Sequence, residues 1–170
     1  MSGKRRPTSS ARFRLESLDH VSPELRAAAL TPLQVFNRDA NPTWYTARDL
    51  PANAPSPLNL LTFATGGQVV AGLFGETQFS WLKVHLLAVH VDYRQQGLGT
   101  RLMEEAERLG IARGCRYAYV DTMEYQAPKF YERLGYALAG RLPNWDSQGH
   151  AKHFYIKQLA TLSASPSSSP

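Results

Sequence analysis

A single mixed α/β domain is the fold class that this sequence predicts. Three observations lead there. The 170 residues leave room for one well-filled core but hardly for two. The middle of the chain switches abruptly from strand periodicity to helix periodicity, and short β-type runs lie on both sides of that switch. A composition of 43% hydrophobic and 19% charged residues is that of a globular chain, not a disordered or fibrous one.

Residues 1–10 are rich in Ser, Lys, Arg and Pro, and Thr161–Pro170 is almost wholly Ser, Pro, Ala and Thr, so a disordered basic arm over 1–11 and a disordered tail over 160–170 are expected to flank a domain over 12–159. Within the domain, Arg12–Leu18 alternates charge with Phe13, Leu15 and Leu18 and is expected to form a first strand. Ser22-Pro23-Glu24 opens a helix, with Ser as cap and Pro in the first turn, and Pro32 is expected to break it or force a restart. Asn37–Pro57, rich in Pro, Asn and Asp, is expected to be a long irregular connection bordering a binding site.

Leu58–Thr65 and Gln68–Phe74 are β-rich runs separated by Gly66-Gly67, the mark of a tight hairpin, and Phe79–Val91 is apolar enough for a central strand. From Gly99 to Arg113 the period becomes helical: Leu98, Leu102, Ala106 and Leu109 share one face, Arg101, Glu104, Glu105 and Arg108 the other, and Gly114 suits the C-terminal cap. Tyr117–Thr122 is a strand, Gln126–Leu134 a short helix stopped by Gly135, and Tyr136–Arg141 a strand. Asn144–Gly149 is a turn, and about His153–Leu159 a last strand.

The formal net charge of +5 suggests nucleic acid at first sight. Lys4, Arg5, Arg6, Arg12 and Arg14 precede any acidic residue, however, and without these five the remaining 14 basic residues balance 14 acidic ones. The body is neutral, and a nucleic-acid partner is not expected. The one cysteine, Cys115, has no partner for an internal disulfide. There is also no apolar run of membrane length and no apolar secretory segment, so a cytoplasmic location is expected.

The chemistry concentrates in Leu87-Ala88-Val89-His90-Val91-Asp92-Tyr93-Arg94-Gln95-Gln96-Gly97-Leu98-Gly99-Thr100. A buried strand runs into a glycine-bearing turn and directly into an amphipathic helix. Such a turn aims successive backbone N–H groups and the positive end of the helix at one point, a site for phosphate oxygens. Gly97 and Gly99 are expected to clear the way for a close approach, with Arg94 adding a cation. A dinucleotide-binding pattern needs a third glycine where Leu102 stands, and no Gly-Lys-Ser/Thr follows for a P-loop.

The Arg-x-x-Gly-x-Gly spacing of Arg94, Gly97 and Gly99 resembles the coenzyme A pyrophosphate loop of the GNAT N-acetyltransferase superfamily. Downstream, Ala127-Pro128-Lys129-Phe130-Tyr131-Glu132-Arg133-Leu134-Gly135-Tyr136 resembles that superfamily's Ala-x-x-Phe-Tyr-x-x-x-Gly-Phe segment. The likeness covers about residues 58–159. Lys83–His90 with Arg94–Gly97 is also similar to the arylalkylamine N-acetyltransferases, with Lys83 standing where those carry the first of two histidines. A small bacterial-type enzyme of unassigned acceptor fits that departure better.

The resemblance implies a mostly antiparallel central sheet of six or seven strands, splayed between strands 4 and 5 and flanked by about four helices. It also implies acetyl-coenzyme A as cosubstrate, direct attack by a primary amine on the thioester, and a possible homodimer. The coenzyme would lie on Leu87, Ala88, Val89, Arg94, Gln95, Gln96, Gly97, Leu98, Gly99, Thr100 and Lys129, with a bulge and an oxyanion-binding N–H near Val89. Tyr131 matches the position whose hydroxyl protonates the departing thiolate.

Strand alternation puts Trp81, Lys83, His85, Leu87 and Val89 on one face, making His85 the first candidate for the base that takes the amine proton. Glu76, Asp121, Glu124 and water are its rivals, and the last hairpin is expected to border the acceptor. His90 reads as structural and Cys115 as buried and inert. His150 and His153 lack partners at metal-ligand spacing, and no metal is expected. A coenzyme A-binding regulatory module without catalysis is the alternative from another class.

Overall fold

The computed structural model describes residues 14–159, so the basic arm and the Ser/Pro tail lie outside the described residues. Two units divide the chain, Met1–Thr46 and Ala47–Pro170, and each is taken by itself. In the first, Arg14–Leu18 has no regular structure where a strand was expected. A short alternating run becomes a strand only when a neighbour supplies hydrogen bonds, and alternation alone cannot supply one.

Helix α1 (Pro23–Ala40) begins as its sequence dictates, with Ser22 Oγ accepting from the Leu25 N–H and Pro23 in the first turn. Contrary to expectation it continues through Pro32. A proline within a helix removes one backbone bond, here the one to the Ala28 carbonyl, and beside it Thr31 Oγ1 donates to Ala27 O (2.9 Å). The connection read as irregular also holds a helix, α2 (Pro42–Arg48). Asn41 Oδ1 accepts from the Trp44 N–H (3.0 Å), and Asn-Pro at that position is a helix start that the Pro/Asn content had concealed.

The second unit is one open six-stranded sheet in the order β1-β2-β3-β4-β6-β5. Strands β1 (Ser56–Phe63) and β2 (Val69–Gln78) form the expected hairpin, in which Gly67 takes the left-handed conformation (φ +83°). Strand β3 (Trp81–Val89) pairs antiparallel with β2. Helix α3 (Leu98–Ala112) then crosses over so that β4 (Tyr117–Met123) lies parallel to β3, the sheet's single parallel pair. Helix α4 (Pro128–Arg133) leads to β5 (Ala137–Leu142) and β6 (Lys152–Gln158), and β6 returns between β4 and β5.

The core lies between the sheet and α3. Leu102, Met103, Ala106 and Gly110 of α3 are buried on the face that the helical period predicts. Gly110 lets the helix close on Leu82, since a Cβ there would touch the Leu82 side chain at 3.4 Å. Cys115 is buried in the same cluster, and burial pushes its thiol pKa up, which keeps it protonated and unreactive. No helix among the described residues is long and apolar enough to cross a membrane.

Candidate functional site

The site begins with a fault in a strand. Strands β3 and β4 pair only from Trp81/Tyr117 to Val84/Val120. On the other edge of β3, Phe74 pairs with Leu86 and Gly75 with Val84, which leaves His85 as an extra, bulged residue. Gly75 makes the bulge possible, because a Cβ at that position would collide with the Lys83 carbonyl oxygen. Past His85 the two strands are no longer paired, and a cavity of about 940 Å³ opens between them.

The bulge lies at His85 and not at Val89, where the resemblance put it, and it inverts the alternation beyond it. Leu82 and Val84 belong to the core, and so do Leu87 and Val89, which pack against it. The expected common face of Trp81, Lys83, His85, Leu87 and Val89 therefore does not exist. The inversion also sets the backbone. The His90 N–H bonds back to Val70 of β2, so ladder alternation turns the N–H groups of Leu87 and Val89 towards the gap.

At the end of β3 the chain makes a one-turn 3-10 helix, Val91–Tyr93, capped by His90, whose Nδ1 accepts from the Asp92 N–H. His90 is thus structural, as expected. Gln95 (φ +60°) and Gly97 (φ +77°) then both enter the left-handed region, and α3 starts at Leu98. Among the described residues no acceptor meets the backbone N–H groups from Gln95 to Thr100. Six successive unpaired donors at the positive end of a fifteen-residue helix form a nest for phosphate oxygens.

The two glycines have different reasons. A Cβ on Gly97 would meet nothing, and its left-handed backbone is what requires glycine. A Cβ on Gly99 would press on the Phe130 ring at 3.3 Å, so this glycine also serves the packing of α4 on α3. Arg94 folds back, its Nε donating to Val89 O (3.2 Å), and leaves its outer nitrogens for an anion.

Leu87, Ala88, Val89, Arg94, Gln95, Gly97, Leu98, Gly99 and Thr100 all line the cavity, together with His85 and Tyr131. Gln96 and Lys129 do not. The Gln96 side chain turns to Asp92 O, and Lys129 is exposed on α4. Arg133, one helical turn beyond Lys129 on the same face, lines the cavity instead, as do Tyr93, Tyr125 and Gln126. The i, i+4 spacing of Lys129 and Arg133 was the available signal for the first of these.

Tyr131 is 6% exposed. Burial, with the Asp121 carboxylate adding to it, pushes its pKa up to about 12. The three carboxylates considered as bases are each held by a cation: Glu76 by Lys83 (3.2 Å), Asp121 by Lys152 (2.6 Å) and Glu124 by Arg141 (3.0 Å). His85 is 56% exposed at the mouth of the gap, its Nε2 3.8 Å from Glu76 Oε2. No group of three His, Cys, Asp or Glu among the described residues could hold a metal ion.

Comparison with known proteins follows the same lines. Residues 59–138, from β1 through the turn and α4 into β5, match the acetyltransferase (GNAT) domain. A blasticidin-S acetyltransferase of Streptomyces morookaense is 38% identical over 135 residues, spanning 77% of this chain and 98% of that protein. Among solved structures, an acetyltransferase from Bacillus cereus superposes with a TM-score of 0.66 at 23% identity, over 85% of this chain and 98% of that one. An aminoglycoside 6'-N-acetyltransferase complexed with coenzyme A does so with a TM-score of 0.56 at 18% identity, over 85% and 96%. These two likenesses speak for the fold. The match along nearly all of the Streptomyces enzyme goes further: this chain belongs to the GNAT acetyltransferase family, as an acyltransferase whose cosubstrate is acetyl-coenzyme A.

Proposed function

We propose that this enzyme transfers the acetyl group to a primary amine of a small, water-soluble acceptor by direct attack on the thioester. The observation that carries this is the run of N–H groups without an acceptor from Gln95 to Thr100, whose residues other than Gln96 line the gap between β3 and β4. The pyrophosphate is held by that nest and Arg94. The pantetheine arm follows the unpaired edge of β3, which brings the thioester to the Val89 and Leu87 N–H groups. His85 takes the proton of the incoming ammonium, because Glu76, Asp121 and Glu124 are already committed to Lys83, Lys152 and Arg141.

The free amine attacks the carbonyl carbon, and the oxyanion is met by a strand N–H. As the tetrahedral adduct collapses the carbon–sulfur bond breaks, the Tyr131 hydroxyl donates a hydrogen bond to the leaving sulfur, and the extra proton on the adduct nitrogen passes to the thiolate, giving the amide and the free thiol. At about 12 this hydroxyl stays protonated throughout the working range. It is a weaker acid than an ordinary thiol near ~8.5. Its contribution is therefore a hydrogen bond that strengthens as charge reaches the sulfur, which refines the role of full proton donor that resemblance implies.

Blasticidin S, the acceptor in the name of the Streptomyces relative, is the first to assay, followed by a panel of primary amines with thiol release as the readout. Turnover is expected, and Tyr131→Phe should lower kcat about 10- to 100-fold with little change in the KM for acetyl-coenzyme A. Tight coenzyme A binding without turnover on any amine, or an unchanged kcat in the variant, would sink this mechanism.

A further inference from the structure

A second cluster of titratable side chains lies outside this machinery, in the hairpin between β5 and β6. The hairpin is tied from within. Asn144 Oδ1 accepts from the Gly149 N–H (2.7 Å), and Asp146 Oδ1 accepts from the N–H groups of Gln148 (2.9 Å) and His150 (3.2 Å). The other carboxylate oxygen, Asp146 Oδ2, stands 2.6 Å from His150 Nδ1. The Gln148 N–H foremost, with His150 helping, holds the Asp146 pKa below its ordinary value, so this carboxylate is ionised.

An ionised carboxylate on Nδ1 fixes the imidazole tautomer, with the proton on Nδ1 and the lone pair on Nε2. No described residue bonds that Nε2. The ring meets Tyr125 edge to face, with centroids 5.0 Å apart at 78°. Tyr125 is 62% exposed, and it lines the cavity that takes the thioester. Beside it, Glu124 is bonded to Arg141, and its N–H donates to Ala151 O next to His150. The charged groups beside the His150 ring are Asp146, Glu124 and Arg141, the last two paired with each other, and Lys152 beyond them is paired with Asp121.

An imidazole nitrogen backed by a carboxylate and an exposed aromatic face together suit a nitrogen cation. We infer that His150 and Tyr125, with Asp146 behind them, form a subsite for a second cationic nitrogen of the acceptor. The enzyme thus selects molecules that present one amine to the thioester and hold another at the hairpin. The inference rests on the acceptor being a small amine. It adds the number of cations and the residues that count them.

The test uses the full chain saturated with coenzyme A, which cannot react, with histidine labelled for imidazole resonances. Spermidine is the polycationic probe and n-butylamine the monocation. The His150 resonances should shift saturably with spermidine and not with n-butylamine. His150→Gln should weaken spermidine binding about 10-fold while leaving coenzyme A affinity unchanged. Tyr125→Ala, at an exposed position, should likewise weaken spermidine binding and leave that of n-butylamine as it was, should the hairpin variant fold poorly. No saturable shift with spermidine, an equal shift with n-butylamine, or unaltered affinity in both variants overturns the inference. Binding as expected with no acetyl transfer to any amine would instead strike at the catalytic reading alone.

Discussion

The two halves of β3 differ more than any two strands of the sheet. From Trp81 to Val84 the strand is paired on both edges and sends Leu82 and Val84 into the core. From His85 to Val89 it keeps β2 on one side and has nothing on the other. Both halves are largely apolar. The difference lies in one extra residue and in the glycine across from it, which shows that a binding gap can be made by ending a pairing early without a separate loop or domain.

That contrast can be broken from either side. Leu82→Ala, at a fully buried position in the paired half, should cost about 2–5 kcal/mol, read as a fall in Tm or in the denaturant midpoint. Smaller and pH-dependent is the share of Tyr131, which borders the open half. Its folded pKa of about 12 exceeds the ordinary tyrosine value of 10.0, so between those values the folded chain keeps a proton that the unfolded chain has released. Stability is fully present below pH 10 and is lost as pH rises through 12, by about 2–3 kcal/mol. Tyr131→Phe should remove that part of the alkaline loss in denaturation measured at several pH values.

Gly75→Ala should cost about 1–3 kcal/mol by overpacking the bulge and should raise the KM for acetyl-coenzyme A as β3 shifts. If it lowers stability without touching that KM, the bulge is not what shapes the gap. The smallest effect is expected at Leu86→Ala, 49% exposed in the open half, with a stability change below about 0.5 kcal/mol. A loss there as large as at Leu82 would mean that the halves are not different after all.

What could be read in advance followed what is local. The nest from Gln95 to Thr100 depends on glycines, a turn and a helix start that are neighbours in sequence, and it stood out there. The Gly66-Gly67 hairpin and the amphipathic α3 were legible for the same reason. The bulge was not, because which residue is extra depends on a partner strand ten residues earlier. Gly75, a glycine inside an apolar strand, was the one hint. Missing it put Leu87 and Val89 on the wrong face. The absent first strand failed similarly, since pairing is not written in the run itself, whereas Pro32 and Asn41-Pro42 failed because single-residue breakers were given more weight than caps. The Asp146–His150 pair was invisible as a pair, its members being separated by a turn that only three-dimensional geometry closes.

The contact between Gly99 and Phe130 has one more consequence. In the proposed mechanism Gly99 belongs to the segment that grips phosphate and Phe130 is the neighbour of the hydroxyl that meets sulfur, so on that reading their contact sets the spacing between the two ends of the coenzyme's arm. Under the proposed function that contact would act as a gauge for the arm. Any side chain added at Gly99 would lengthen it by pushing α4 outward, and a coenzyme gripped as firmly as before would then present its thioester out of step with the tyrosine. Tight binding and slow transfer would appear together, in an enzyme with every reacting group intact.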